Sequence, residues 1–361
     1  MVDDGSAEPA WRVVEAYSWI DPRIRVTRQK HAGVCTARNT GIAAARGEFL
    51  VFLDADDWLE PQALAELLGR CRLDGFGAAY GGLVYCAPDG TPTQWKGGYG
   101  GTAPLFEALC GSNVLSVPSS VMVRRSTLDE IGWFDPALAH CGDWDLWLRL
   151  ARHELAVARI EDVVSGYRMR PGSLSRNPAA LFRDAMTVLR QAHGPDERVV
   201  RADPRFAGGA DREQLAGRIA NFGVYAAGLA ASSGRWEGVE RVLEMVPRWQ
   251  RLDAERAGEF LFYAICFANC RGPESVEEFW PGIGRMVVRL LRDLERRTGS
   301  PGFADETFQF MNASADGRLG SLTGPQDEVI EDRPLSPHPA SASGDTLAYS
   351  TLLKLAAGQK R

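Results

Sequence analysis

Three carboxylates crowd one short stretch, Asp54-Ala55-Asp56-Asp57, directly after the apolar run Phe49–Leu53. An apolar strand that runs straight into acids places them at its carboxyl edge, the crevice where open α/β sheets take their ligands. Carboxylates this close repel one another unless a cation joins them. A hard divalent ion, Mn²⁺ or Mg²⁺, suits the set when substrate phosphates and water complete its shell. Such an ion would neutralise charge growing on a diphosphate leaving group. An acidic cluster at a strand end can equally cap the next helix, as Asp57 is placed to do. Asp3-Asp4-Gly5-Ser6 repeats the pattern of apolar residue, acids and turn near the start. Gly142-Asp143-Trp144-Asp145 opens an amphipathic segment farther on. Asp143 sits at the start of that segment. Asp145, two positions along a helix, faces elsewhere, and both acids are also what a helix dipole favours at its N-terminus.

The elements that must hold these residues follow from periodicity. Up to about residue 175, short apolar runs alternate with helical patterns, the signature of a layered α/β domain. A helix opens at Pro9 with Val13, Val14, Tyr17 and Ile20 on one face. A strand is predicted over Arg23–Gln29, a helix over 35–47 closed by Gly47, and a fully buried strand over Phe49–Leu53. A helix follows from Pro61, then strands in AAYGGLVYC and SVPSSVMV, and a helix from Gly142. From Pro178 to Arg297 the pattern is helical throughout, with breaks at Gly234 and Gly272-Pro273. The stretch 311–345 is rich in Gly, Ser, Pro and Asp and predicts disorder, and 346–361 predicts a short terminal helix or tail. The expected division is therefore 1–177, 178–310, 311–345 and 346–361.

The chain of 361 residues carries a net charge of −6, which gives no overall basic field for nucleic acid. Seven cysteines are scattered, an odd number that fits a reducing compartment. Cys266 and Cys270 sit one helical turn apart with no second Cys/His pair nearby, so core packing is expected of them. No apolar run reaches membrane-spanning length. A cytoplasmic protein follows, one that a partner could dock at the inner face of the membrane.

The segments VDDGS, HAGVCTARNTGIAAARGEFLVFLDADDWLEP, SSVMVRRSTLDEIGWFDPAL and GDWDLWLRLA occur in this order. With them, residues 1 to about 177 resemble the family 2 glycosyltransferases, inverting enzymes with the GT-A nucleotide-diphospho-sugar transferase fold, a Rossmann-like mixed sheet. The resemblance implies a UDP- or dTDP-sugar donor, a saccharide or lipid-linked acceptor, and transfer of one sugar in polysaccharide, glycolipid or glycoconjugate synthesis. It places Asp4, with Asp3 beside it, and Arg38 near the nucleobase. It puts Asp54 and Asp56 across the DxD motif, Asp56 near the ribose and, with Asp57, at the metal. Asp143 becomes the base that takes the acceptor proton. The Gln-x-x-Arg-Trp signature of processive synthases is absent, so single transfer is expected.

Two positions depart from the family pattern. Gly142 stands where a Glu is usual. Arg170 stands where many members carry His; an Arg cannot ligate a metal but can clamp a phosphate, with Ser173 and Ser175 as further diphosphate contacts. The resemblance also implies a strand and helix ahead of Val2, so Met1 is expected to be internal to a protein that begins roughly thirty to forty residues earlier, one strand plus one helix of an α/β unit. A non-catalytic scaffold that keeps nucleotide affinity is the alternative function, and nucleotidyl transfer a weaker third. The helical region is expected to bind the acceptor, to form homo-oligomers or to dock a partner.

Overall fold

A computed structural model describes the chain except residues 8–10, 74, 174–176, 235, 316–318 and 320–361. Pro9, Ser175, the 346–361 segment and most of 311–345 lie outside the described residues.

The first half is a mixed α/β layer. A six-stranded sheet has the order β3 (Phe49–Val51), β7 (Val121–Arg124), β5 (Phe76–Cys86), β8 (Ala156–Arg168), β4 (Trp58–Leu59), with β6 (Pro92–Gly97) also on β5. β5 and β8 run parallel, whereas the β3–β7, β5–β7, β4–β8 and β5–β6 pairs are antiparallel. Side chains alternate across it as strand geometry requires. Ala78, Tyr80, Val121 and Val123 enter the main core, while Ala79 and Met122 face α3 (Ala63–Cys71) on the other side. Glycines let the sheet close: a Cβ at Gly81 would press on Val164, and one at Gly166 would overlap Trp58.

β1 (Val2–Asp3) pairs in parallel with β2 (Thr27–Arg28) in a separate two-stranded sheet, so only two residues of the strand expected over Arg23–Gln29 form one. α1 (Trp11–Ser18) buries none of its residues. Ile20, expected on its apolar face, lies beyond the helix and is exposed. α2 (Val34–Ala44) ends three residues before Gly47, capped at Ala45. The strand expected to be fully buried over Phe49–Leu53 is shorter and half-buried, with Leu53 exposed. Its place at the end of the sheet, paired only with β7 among the described strands, is the reason.

α4 (Leu105–Leu109) and α5 (Arg125–Ile131) lead to α6 (Gly142–Arg152). α6 has acids in its first turn and Arg149 and Arg152 in its last, the distribution the helix dipole favours. The helical half comprises α7 (Pro178–Ala192), α8 (Leu215–Ala231), α9 (Trp236–Met245), α10 (Ala254–Ala268), α11 (Val276–Thr298) and α12 (Phe303–Ser314). α12 carries helix past residue 310, so 311–314 are helical rather than linker. Asn177 and Asp253 cap α7 and α10, accepting from Ala180 N and Arg256 N. A Cβ at Gly228 would crowd Leu261 and Ala264, so this glycine sets how closely α8 approaches α10.

The two halves share one hydrophobic core. At the far end of α6, buried Arg152 donates to the carbonyls of Gly194 (2.7 Å) and Gln191 (3.1 Å), satisfying groups at the end of α7. At its near end, Trp144 lies 5.3 Å from Phe222 of α8. One helix thus carries Asp143 and joins the α/β layer to the helices. Cys266 and Cys270 are both buried in this core.

Candidate active site

The acidic stretch leaves β3 through Phe52, whose ring stands edge-on to Phe134 at 4.9 Å. Asp57 N donates to Asp54 O (3.1 Å), turning the chain so that β4 can pair with the end of β8. Arg168 N, at that end, donates to Asp57 Oδ1 (3.0 Å). The acids are therefore pinned between two strands.

Their environments differ. Arg38, from α2, grips Asp54 with Nη2 at 2.8 and 3.0 Å from the two carboxylate oxygens. Asp56 has an ion pair with Arg170 at 3.8 Å, and both side chains are substantially exposed. Asp57 forms no ion pair among the described residues, and its Oδ2 is buried without a hydrogen-bond partner. Burial pushes its carboxyl up to about 7, Asp54 and Asp56 adding to the rise against the Arg168 N–H. A carboxylate whose charge is disfavoured and whose free oxygen lacks a donor suits a cation. Among the described residues no group of three or more His, Cys, Asp or Glu could hold a metal by itself. The residues fit a partial site, one or two carboxylates completed by diphosphate and water.

Arg38 links this loop to α6. It lies 5.3 Å from the Phe134 ring. Burial opposes its charge, but Asp54 and Asp143 together outweigh that and raise its pKa. Asn39, next along α2, clamps the same segment from both sides: its Nδ2 donates to Phe134 O (2.8 Å) and its Oδ1 accepts from Phe134 N (3.0 Å).

Asp143 is half-buried on the first turn of α6 and lines a cavity of about 420 Å³ between the two halves. Asn113 Nδ2 donates to its Oδ2 (2.9 Å) and Trp144 N to its Oδ1 (2.8 Å). No Lys or Arg pairs with it among the described residues. Burial raises its pKa, against the Arg38 charge, the Trp144 N–H and the Asn113 amide. Asp145 is the contrast. It is almost fully buried, with Arg149 Nη2 at 2.7 Å and Arg198 Nη2 at 2.8 Å. Two guanidiniums fix it, so it holds α6 to its surroundings and is no alternative base.

Gly142 has a packing cause. A Cβ there would overlap Cys35 Sγ, which donates to Leu138 O at 3.0 Å. Burial pushes the Cys35 thiol up to about 11, so the sulfur fills space and is no nucleophile. Any side chain at position 142 would find its room taken by a residue from α2.

Asp4 has both oxygens occupied: Gln29 Nε2 (2.7 Å) and Ala32 N (2.9 Å) donate to Oδ1, and Gly33 N (2.9 Å) to Oδ2. Burial opposes its charge, but these bonds together hold the carboxyl below its usual value. Asp3 is buried, accepting from Ser6 N at 3.2 Å with Arg28 Nε at 3.7 Å. Ser173 N closes a turn onto Arg170 O at 3.2 Å. The structure thus brings Arg38, Asp54, Asp56, Asp57, Asp143 and Arg170 into one neighbourhood of ion pairs and mutual electrostatic influence. It gives Asp3 and Asp4 a loop-fixing part.

Sequence reasoning missed two groups at this site. Asn113, on the loop before β7, carried no motif. His140 lines the same cavity as Asp143; its Nδ1 lies 3.2 Å from Asp184 Oδ2, and its backbone N donates to that oxygen at 2.9 Å. Its partner stands 44 residues away on α7, so only folding reveals the pair.

Residues 1–132 match the family model described as glycosyl transferase family 2. The chain is 25% identical over 192 residues to the putative teichuronic acid biosynthesis glycosyltransferase TuaG of Bacillus subtilis, covering 53% of this chain and 75% of that protein. It is 33% identical over 187 residues to the O-antigen biosynthesis protein RfbC of Myxococcus xanthus, 48% of this chain and 13% of that one. With the putative glycosyltransferase EpsH of B. subtilis it shares 44% over 68 residues, 19% of this chain and 20% of that one. The chain spans only 11% to 24% of the length of four of the curated relatives it matches. Among solved structures, S. aureus TarS 1–349 aligns with 88% of this chain and 81% of its own, at TM-score 0.45 and 15% identity. The mannosyltransferase PcManGT of Pyrobaculum calidifontis, in complex with GDP-Man and Mn²⁺, aligns with 88% and 75%, at TM-score 0.43 and 14% identity.

Proposed function

We infer that this chain, which belongs to glycosyl transferase family 2 through residues 1–132, moves one sugar from a nucleotide-diphosphate sugar to an acceptor hydroxyl with inversion at the anomeric carbon. The observation that carries the reading is Asp143: a carboxylate on a cavity wall, held by neutral donors, two positions from an acid that two arginines immobilise. A group left without a cation, its proton affinity raised by burial, is suited to accept a proton.

In the proposed step the acceptor oxygen attacks the anomeric carbon from the face opposite the diphosphate. The new C–O bond forms as the bond to the β-phosphate oxygen breaks, the electron pair leaves with the nucleoside diphosphate, and the acceptor proton passes to Asp143. Asn113 orients the base. Arg38 holds Asp54 and tempers the charge on Asp143. Arg170, exposed beside Asp56, is free to swing to a phosphate, with Ser173 on the same turn. Asp57, with Asp56 at its side, would hold Mn²⁺ or Mg²⁺, whose chemistry is to offset charge on the departing diphosphate. UDP and dTDP are the expected nucleotides, and Asp3 and Asp4 shape the loop expected beside the base. Polysaccharide, glycolipid or glycoconjugate synthesis is the proposed setting. No helix among the described residues is long and apolar enough to cross a membrane; a cytoplasmic site, at or near the membrane's inner face, is part of the proposal.

One observation favours the non-catalytic alternative: the overlap with Cys35 that bars a second carboxylate at position 142. Calorimetric titration of UDP and dTDP with and without Mn²⁺, together with a turnover assay on UDP- and dTDP-sugars with acceptor, on wild type and Asp143→Asn, separates the two. Metal-dependent binding in both proteins with donor turnover only in wild type supports the transferase. Binding without turnover in either supports the scaffold.

A further inference from the structure

The cavity that Asp143 lines is built by both halves of the molecule. Tyr85 and Tyr167 come from β5 and β8, while Tyr225 comes from α8 and Phe260 and Tyr263 from α10. The wall is ordered: Tyr85 and Tyr263 share a hydroxyl–hydroxyl hydrogen bond of 2.5 Å across 178 residues of chain. Trp95 backs it, 4.6 Å from the Tyr85 ring and 4.4 Å from that of Tyr263. The loop that orients the base also joins the wall. Asn113 holds Asp143, and Ser116, three residues on, lines the same cavity from a backbone φ of 61°, a left-handed conformation rare outside glycine. His140 stands in the same lining, its Nδ1 beside Asp184 and its Nε2 without a partner among the described residues.

We propose that this cavity is the acceptor site, that its occupant is a neutral pyranoside, and that the helical half exists in part to supply its aromatic wall. The proposal rests on the glycosyltransferase reading above. Aromatic faces match the C–H faces of a pyranose ring, while tyrosine hydroxyls, His140 and Asn113 offer donors and acceptors to its hydroxyls. The charges in the lining leave no net preference: Arg256 and Glu259 pair at 3.0 Å, and Lys96 balances Asp143. An anionic acceptor would find no cationic cluster here, and a wholly apolar one would strand the polar groups without partners. The position of the base fixes the rest, because the hydroxyl that reacts must reach Asp143.

The test uses p-nitrophenyl glycosides of glucose, galactose, mannose and N-acetylglucosamine as acceptors for UDP- and dTDP-sugars with Mn²⁺. At least one glycoside is expected to accelerate nucleotide release. Phe260→Ala, on a half-buried side chain, is expected to raise its KM tenfold or more while the Kd for UDP moves less than twofold. Lys96→Ala, at an exposed position, is expected to raise the same KM by a smaller factor. Saturation-transfer NMR of the same glycosides gives a readout that needs no turnover. Turnover whose acceptor KM ignores both substitutions overturns the cavity assignment and leaves the transferase reading standing. Glycoside binding that Phe260→Ala weakens, without turnover by any donor, upholds the cavity as a saccharide site and removes the transferase reading. Neither binding nor acceleration by any glycoside overturns the pyranoside proposal.

Discussion

The acidic loop after β3 and the first turn of α6 both carry clustered carboxylates, yet the protein treats them differently. In the loop, Asp54 and Asp56 are answered by Arg38 and Arg170, and each remains about a third exposed, at 36% and 34%. On α6, Asp145 is sealed between Arg149 and Arg198, while Asp143 receives only neutral donors. Of these five acids, Asp57 in the loop and Asp143 on the helix form no ion pair among the described residues. They are the two to which the proposed mechanism gives a metal and a proton. The comparison teaches that counter-charge sorts acids that motif membership groups together: Asp54 and Asp145 are fastened by close guanidiniums, the Arg170 pair of Asp56 is long and exposed, and Asp57 and Asp143 have no such partner among the described residues.

The largest effect should come from the helix. Asp143→Asn is expected to cut transfer by roughly 10²- to 10⁴-fold with nucleotide affinity retained, read by turnover and calorimetry. Asp145→Asn should do the reverse. Removing one partner of a buried charge cluster costs about 3–5 kcal/mol, so a large fall in melting temperature is expected without the catalytic signature. If Asp145→Asn lost turnover at full stability, the contrast between neighbours would be wrong.

In the loop, Asp57→Asn should abolish the metal-dependent part of UDP affinity, a loss of about tenfold or about 1.4 kcal/mol. Asp54→Asn should leave that part largely intact, because its charge is engaged by Arg38. Equal losses in the two variants would erase the distinction. Gly142→Ala should destabilise by about 1–3 kcal/mol through overpacking against Cys35, and Cys35→Ala in the same chain should recover most of it, as thermal melts would report.

The smallest effect is a shift in a pH profile. A base must be ionised to work, so transfer should fall as pH drops through the Asp143 pKa. Burial holds that pKa above the ordinary carboxylate value, which puts the acid limb higher than for an exposed Asp. Asn113 donates to the charged form. Asn113→Ala should therefore move the limb to still higher pH. A limb that stayed in place would mean that another group titrates.

Much of this site was legible before folding, because its acids lie in contiguous stretches: the DADD turn was named from local spacing, and Arg38 and Asp143 from the resemblance that the neighbouring segments carry. Helices were legible for the same reason, since periodicity of 3.6 is a local signal. What escaped depends on distance along the chain. Cys35 excludes a side chain at Gly142 from more than a hundred residues away. Arg198, 53 residues on, completes the clamp on Asp145, and the Asp184 contact of His140 and the Tyr85–Tyr263 pair arise only when α7 and α10 close on the sheet. The edge strand after Gly47 misled in the opposite direction. Its apolar run predicted full burial, but burial depends on what lies beside a strand, and that is not written in the strand itself.

The most direct test of the central claim is proton NMR of UDP- or dTDP-sugar incubated with the p-nitrophenyl glycoside acceptors, Mg²⁺ and either wild type or Asp143→Asn, at nucleotide concentrations that saturate both. The account predicts that wild type converts the donor's anomeric signal into a product of opposite configuration while the variant, equally loaded, leaves the donor intact. Turnover by Asp143→Asn at the wild-type rate, or a product that keeps the donor's configuration, would contradict it.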